Sequence, residues 1–228
     1  MESQKDKLDK IKIFTLIFDF EIEKREIPAF RAAMIEKIGR EHVLFHNHLE
    51  DQFRYGYPLI QYKTVRRNPT MICINQGSED ILKLFEQVDL DLVIHGKRVE
   101  VKIKHISFDY FQCGFSLKPV KYKIENWFAL NETNFTKFIA LNNNGMKKEF
   151  LQRVLVGNIL SFAKGIQWNI NKQIELTITN LPKSHFFVFK NHKMAGFNLY
   201  FVTNIILPDF IGLGKSVSRG FGVIRRSG

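Results

Sequence analysis

The apolar period changes along the opening stretch in a set order, and that order leaves few folds open. Residues Ile11–Phe20 alternate, with Phe14, Leu16, Phe18 and Phe20 on one face. This predicts a half-buried strand. In the following EIPAFRAAMIEKIGR segment, Ile27, Phe30, Met34 and Ile38 recur at helical spacing. Pro28 suits a first helical turn and Gly39 suits a C-terminal cap. Tyr57–Val65 and Thr70–Asn75 read as strands about a turn at Arg66-Arg67-Asn68-Pro69. Ser78 offers an N-cap, with Ile81, Leu82, Phe85 and Val88 behind it. Leu90–His105 reads as a strand or hairpin about Gly96. Strand, helix, strand, strand, helix, strand is the βαββαβ order of a ferredoxin-like domain.

The rest of the chain repeats that order more loosely. Tyr122–Leu130 reads as a strand, and Asn131–Asn144 as a polar connection with room for a short helix. Met146–Gly165 carries the clearest helical pattern, through Leu151, Val154, Leu155, Ile159, Phe162, Ala163 and Ile166. Gly157 inside it predicts close approach of another element. Strands are expected at Gln173–Asn180, His185–Lys190 and Ala195–Ile206. The predicted class is α+β: tandem ferredoxin-like (RRM-like) βαββαβ halves, residues 1–115 and 116–228, with a C-terminal glycine-rich loop. A length of 228 residues suits two such halves.

Charge narrows the partners. Lys and Arg number 34 against 23 Asp and Glu, a net of +11 that favours polyanions. Basic runs occur at Lys97–His105, Lys118–Lys123, the Met146–Lys164 helix (Lys147, Lys148, Arg153) and the tail. If they line one groove, binding weakens steeply with salt; singly, each is an ordinary solvated edge. Cys73 and Cys113 lie in apolar stretches and read as buried free thiols suited to a reducing interior. The opening MESQKDKLDK lacks an apolar signal core, and no run is long enough to span a membrane. The expectation is a soluble, cytoplasmic protein with no membrane partner and no cofactor. Phe108–Phe111 and Phe186–Phe189 could stack bases, but without an RNA-recognition signature most of these rings read as core.

The chain ends GLGKSVSRGFGVIRRSG. A phosphate-loop reading of Gly214-Lys215-Ser216 fails, because Asp209 stands where that pattern needs a glycine. The dinucleotide pattern fails at Val217. What remains is a flexible backbone with exposed N–H groups, plus Lys215, Arg219, Arg225 and Arg226, with Gly212, Gly214, Ser216, Gly220 and Gly222 as further candidates for RNA or phosphate contact. Such a loop can press its amides on a phosphate backbone. A tight hairpin at a sheet edge is the plainer alternative.

Three blocks together resemble one family: the LGKSVSRGFG tail, the helix Leu155–Trp168, and FHNHLEDQFRYGYPLIQYK at Phe45–Lys63. The chain is similar to the Cas-six family of CRISPR repeat-processing endoribonucleases, in the repeat-associated RNA-binding superfamily, and most to its b-type members. The likeness spans both halves.

Of seven histidines, only His46 and His48 cluster. If extended, that stretch projects both rings from one face. No Cys, Asp or Glu completes a metal-ligand spacing with them, so no metal is expected. General acid–base cleavage of RNA fits better: one group takes the 2′-OH proton, another protonates the leaving 5′-oxygen, and a cation holds the phosphorane. Imidazole, with a pKa near 6.5, can serve either role. These could equally be surface histidines on a polar loop. The resemblance assigns places: His48 as principal acid or base, His46 its helper, Tyr55 the orienting hydroxyl. Arg54 or Lys63 could stabilise developing charge.

The resemblance implies metal-independent cleavage of precursor CRISPR RNA within each repeat, giving 2′,3′-cyclic phosphate and 5′-hydroxyl ends. The alternative is a non-catalytic subunit that holds guide RNA in an effector complex. Homodimerisation, or association with such a complex, is compatible with either.

Overall fold

The structure is a computed structural model that describes residues 9–46, 48–49, 52–53, 56–180, 183–189 and 192–228. At 9, 46, 48–49, 52–53, 183, 187–189 and 192–194 it describes the backbone alone. The chain divides into two compact units. One holds Lys10–Phe111 with Ser218–Gly220; the other holds Gln112–Val217 with Phe221–Gly228 and Asp9.

The first unit contains β1 (Asp9–Phe18), α1 (Ile27–Ile38), the single-turn α2 (Val43–His46), and the short strands β2 (His48–Leu49) and β3 (Gln52–Phe53). There follow β4 (Ile60–Val65), β5 (Asn68–Ile74), α3 (Gln76–Asp80), β6 (Leu92–Ile94), β7 (Lys97–Val99) and the opening part of β8 (Ile103–Trp127). Its sheet runs β8-β1-β5-β4. Numbered by place in βαββαβ, that is 4-1-3-2, the ferredoxin-like order. β1 pairs antiparallel with β5, with Phe14 opposite Cys73 and Leu16 opposite Met71.

Alternation places Phe14, Leu16 and Phe18 under α1, where Phe30 packs edge-on against Phe18 (5.4 Å) and Tyr62 (5.8 Å). Pro28 stands in the first turn of α1, and Gly39 caps it with φ of 112°. Ile11 and Ile13 on the other face are buried too, so β1 is not the half-buried strand that alternation predicts.

Other expectations shift in detail. The turn between β4 and β5 is Arg66-Arg67 alone, both with positive φ, while Asn68 and Pro69 lie in β5. Ser78 is no N-cap: Asn75 precedes α3, and Ser78 Oγ donates to the Cys73 carbonyl (2.9 Å). The predicted helix is a short α3 followed by a 3-10 helix at Ile81–Glu86. The hairpin about Gly96 is β6–β7, with His95 in its turn at positive φ. Phe108 and Tyr110 are exposed rather than core.

The second unit uses the later part of β8, then α4 (Glu132–Ile139), α5 (Asn144–Gly165), β9 (Leu176–Ile178), β10 (Lys183–Phe189), β11 (His192–Ile206) and β12 (Val223–Arg226). β10, β11, β8 and β12 pair in that order, and β9 joins β11. With β8 first and β12 last, this is again 4-1-3-2. The second helix of the pattern is replaced by the tail, which holds only a 3-10 turn at Val217–Arg219.

Asn131 and Asn143 cap α4 and α5 by accepting from Asn134 and Met146 amides (2.7 and 2.8 Å). Leu151, Leu155, Ile159, Phe162 and Ala163 form the buried stripe of α5. Gly157 meets nothing within 4 Å, so the close approach expected there is absent. Tyr122 Oη donates to the Leu207 carbonyl and accepts from its amide (3.0 and 2.8 Å), which satisfies a buried phenol. Both cysteines are buried free thiols. Among the described residues no helix is long and apolar enough to cross a membrane.

Phe30→Ala removes a fully buried ring that meets Phe18, Phe20 and Tyr62. It should cost about 3–5 kcal/mol in urea unfolding.

Candidate RNA-cleavage and phosphate-binding site

The histidine segment folds locally. α2 ends at His46, and β2 pairs with β3 so that His48 lies opposite Phe53. The side chains of His46 and His48 lie outside the described structure, as do Arg54 and Tyr55 altogether. His42, just before α2, has its Nε2 3.7 Å from Glu41.

Lys63 is described, and its setting is unusual. It sits on β4 opposite Thr70 with 1% of its surface exposed. Its Nζ is buried, with no hydrogen-bond partner among the described residues. Burial pulls its pKa down from 10.5 to about 7. A lysine held this way is half neutral near physiological pH, able to take a proton or to meet an anion as a cation.

Tyr62, on the opposite face of β4, is fully buried; its hydroxyl has no hydrogen-bond partner among the described residues, and burial raises its pKa. The Arg31 guanidinium lies 5.9 Å from its ring centre. Burial lowers the Arg31 pKa, Tyr62 acts against that, and the positive charge of Arg219 lowers it further. Arg219 is itself depressed by burial. Two guanidiniums thus share one electrostatic neighbourhood within the first unit. Each keeps its charge at any working pH and can fork onto a phosphate.

Arg31 escaped the sequence reading, although a signal exists. It stands four residues after Ile27, on the stripe of Ile27, Phe30, Met34 and Ile38 where helical period calls for an apolar residue.

The tail is packed rather than loose. Leu213 N–H donates to the Gly222 carbonyl (2.9 Å), Gly222 N–H to Asn126 (3.0 Å) and Lys215 N–H to Phe128 (3.2 Å). The amides of Leu213, Lys215 and Gly222 are taken, so this stretch is held rather than the flexible backbone expected. Gly212 and Gly222 are buried. Gly222 has φ of 65°, and a Cβ there would collide with the Leu213 carbonyl oxygen. Gly220 has φ of 84°, and its Cβ would meet Ile27 Cδ1 at 2.6 Å. These glycines let backbone meet backbone. What the tail offers outward is the exposed Lys215, with the half-buried Gly214, Ser216 and Arg219.

The basic runs are partly neutralised. Arg98 pairs with Asp91 (2.8 Å), Lys102 with Glu100 (3.0 Å), Lys104 with Asp19 (3.5 Å) and Lys123 with Glu125 (2.7 Å). On α5, Lys147 lies 5.7 Å over the Phe138 ring. Lys147, Lys148 and Arg153 do not share a face, since each residue turns the helix by about 100°. His185 reaches Asn126 Oδ1 at 3.3 Å. Among the described residues no group of three or more His, Cys, Asp or Glu could hold a metal ion.

With this geometry in hand, comparison with known proteins is direct. Residues 9–112 match the Cas6b N-terminal domain and residues 114–227 the Cas6b C-terminal domain. The chain belongs to the Cas6b family, the b-type of CRISPR-associated Cas6 proteins. It is 33% identical over 138 residues to an uncharacterised Methanocaldococcus jannaschii protein, MJ0978, covering 60% of this chain and 92% of that one. A solved Cas6b superposes with a TM-score of 0.86 at 29% identity, over 96% of this chain and all of that one. A second, described as a CRISPR RNA processing endoribonuclease Cas6b, gives 0.75 at 26% identity over the same shares.

The Lys63 amine makes the fold sensitive to pH. The unfolded chain holds that proton up to about pH 10.5, while the folded chain releases it near 7. Stability should therefore be flat below about pH 7 and rise from there towards 10.5. Lys63→Met should remove that slope and raise neutral-pH stability by a few kcal/mol, read by urea unfolding across pH.

Proposed function

We propose that this chain is an endoribonuclease that cuts precursor CRISPR RNA within its repeats. Similarity running through both Cas6b domains, and extending to a solved CRISPR RNA processing endoribonuclease, carries this reading. The proposed reaction is metal-independent attack of a ribose 2′-OH on the adjacent phosphate, leaving a 2′,3′-cyclic phosphate and a 5′-hydroxyl.

In this scheme residues 1–115 carry the chemistry and 116–228 the glycine-rich RNA-binding loop. His48 is the principal acid or base, His46 its helper, and Tyr55 orients the nucleophile. One imidazole takes the 2′-OH proton and the other returns a proton to the leaving 5′-oxygen. Developing phosphorane charge falls to a cation. Arg54 and Lys63 are the candidates.

Arg31 and Arg219 hold an RNA phosphate together, which relieves the like-charge proximity between them. Lys215, Ser216, Gly212, Gly214, Gly220 and Gly222 shape the tail contact, and Lys147, Lys148 and Arg153 extend it. The RNA partner is a CRISPR repeat, with a second copy or an effector complex as the further partner.

The test is cleavage of repeat RNA in EDTA, beside substrates carrying a single 2′-deoxy sugar at each position. Cutting should persist in EDTA and fail at one deoxy position. His48→Ala should slow cleavage by about 10²–10⁴-fold with RNA affinity retained. Tight binding without cutting would instead favour the scaffold reading. Arg219→Ala should weaken binding of all RNAs and reduce the dependence of log affinity on log salt by about one phosphate contact.

A further inference from the structure

The opening part of β8 displays a row of large side chains that the core does not use. Ile106, Phe108 and Tyr110 are 46%, 49% and 55% exposed. Two-residue spacing along a strand puts them on one face, about 6.7 Å apart. The row is anchored from below: Phe108 packs edge-on against the buried Phe14 (6.4 Å). Tyr110 stands nearly perpendicular to Phe108, with ring centres 5.4 Å apart. Lys10 Nζ lies 4.4 Å over the Tyr110 ring. The rings are therefore held in place while half their surface faces solvent. An ordered apolar face of this kind marks a binding site.

Charge decides the occupant. Lys10 stands on the row, and Lys104, two residues before Ile106 on the same face, pairs with Asp19 at 3.5 Å. The chain carries a net +11. A second copy docking symmetrically on this face would bring Lys10 towards Lys10. A polyanion with flat apolar bases meets both the lysine and the rings, and every base has a face that stacks. We propose that Ile106, Phe108 and Tyr110 form a base-stacking subsite for unpaired nucleotides of the RNA, with Lys10 on the adjoining phosphate. This rests on the reading of the chain as an enzyme acting on CRISPR RNA. The rings of the subsite add affinity without reading sequence.

The experiment uses the full chain and repeat RNA with its flanks, substituted singly with 5-iodouridine and irradiated. Mass spectrometry should find one nucleotide attached to Phe108 or Tyr110. Phe108→Ala and Tyr110→Ala should each weaken affinity about tenfold by fluorescence anisotropy, while Tyr110→Phe keeps it. Crosslinks mapping only elsewhere, with unchanged affinity in the double alanine variant, would overturn the subsite. So would light scattering that shows this variant turning a dimer into a monomer with RNA affinity intact. Cleavage is followed in the same tubes. A wild type that cuts but never crosslinks here loses the subsite alone; one that neither cuts nor binds RNA loses the enzyme reading with it.

Discussion

The packing of Phe14, Leu16 and Phe18 against Phe30 is the contact on which the first unit depends. It sets β1 between β5 and β8 and holds α1 across the sheet. Every candidate group described in this unit hangs from it. Arg31 projects from α1, Lys63 sits on β4 one strand beyond β5, and the row from Ile106 to Tyr110 stands on the neighbouring β8. Loss of that contact would move all three together. Binding energy spent on RNA can be used for chemistry only if such groups stay where the scaffold puts them.

Two features cost stability and suggest use. A buried amine with no hydrogen-bond partner among the described residues, and a guanidinium whose pKa a second one lowers, are arrangements that stability alone would not favour. An anion held between two like cations would turn their repulsion into attraction. The tail works by the opposite principle. Its glycines allow tight backbone contact, and the amides of Leu213, Lys215 and Gly222 are hydrogen-bonded.

Periodicity along the chain determined most of the element order. Ile27, Phe30, Met34 and Ile38 specify α1, and Leu151 through Phe162 specify α5, because these patterns are local. Clustering singled out His46 and His48 and glycine spacing singled out the tail, family resemblance suggested their roles, and the match over both Cas6b domains places the chain in that family. Only the tertiary structure decided burial on the second face of each element. Lys63 and Gln61 alternate with the core residues Ile60 and Tyr62 on β4, yet both are buried. Phe108 and Tyr110 read as core, yet stand exposed, since a strand pattern cannot say which face finds a neighbour. The proximity of Arg31 to Arg219, far apart in sequence, is likewise a product of folding. Local physics reads periods and caps; long-range packing decides which side chains meet.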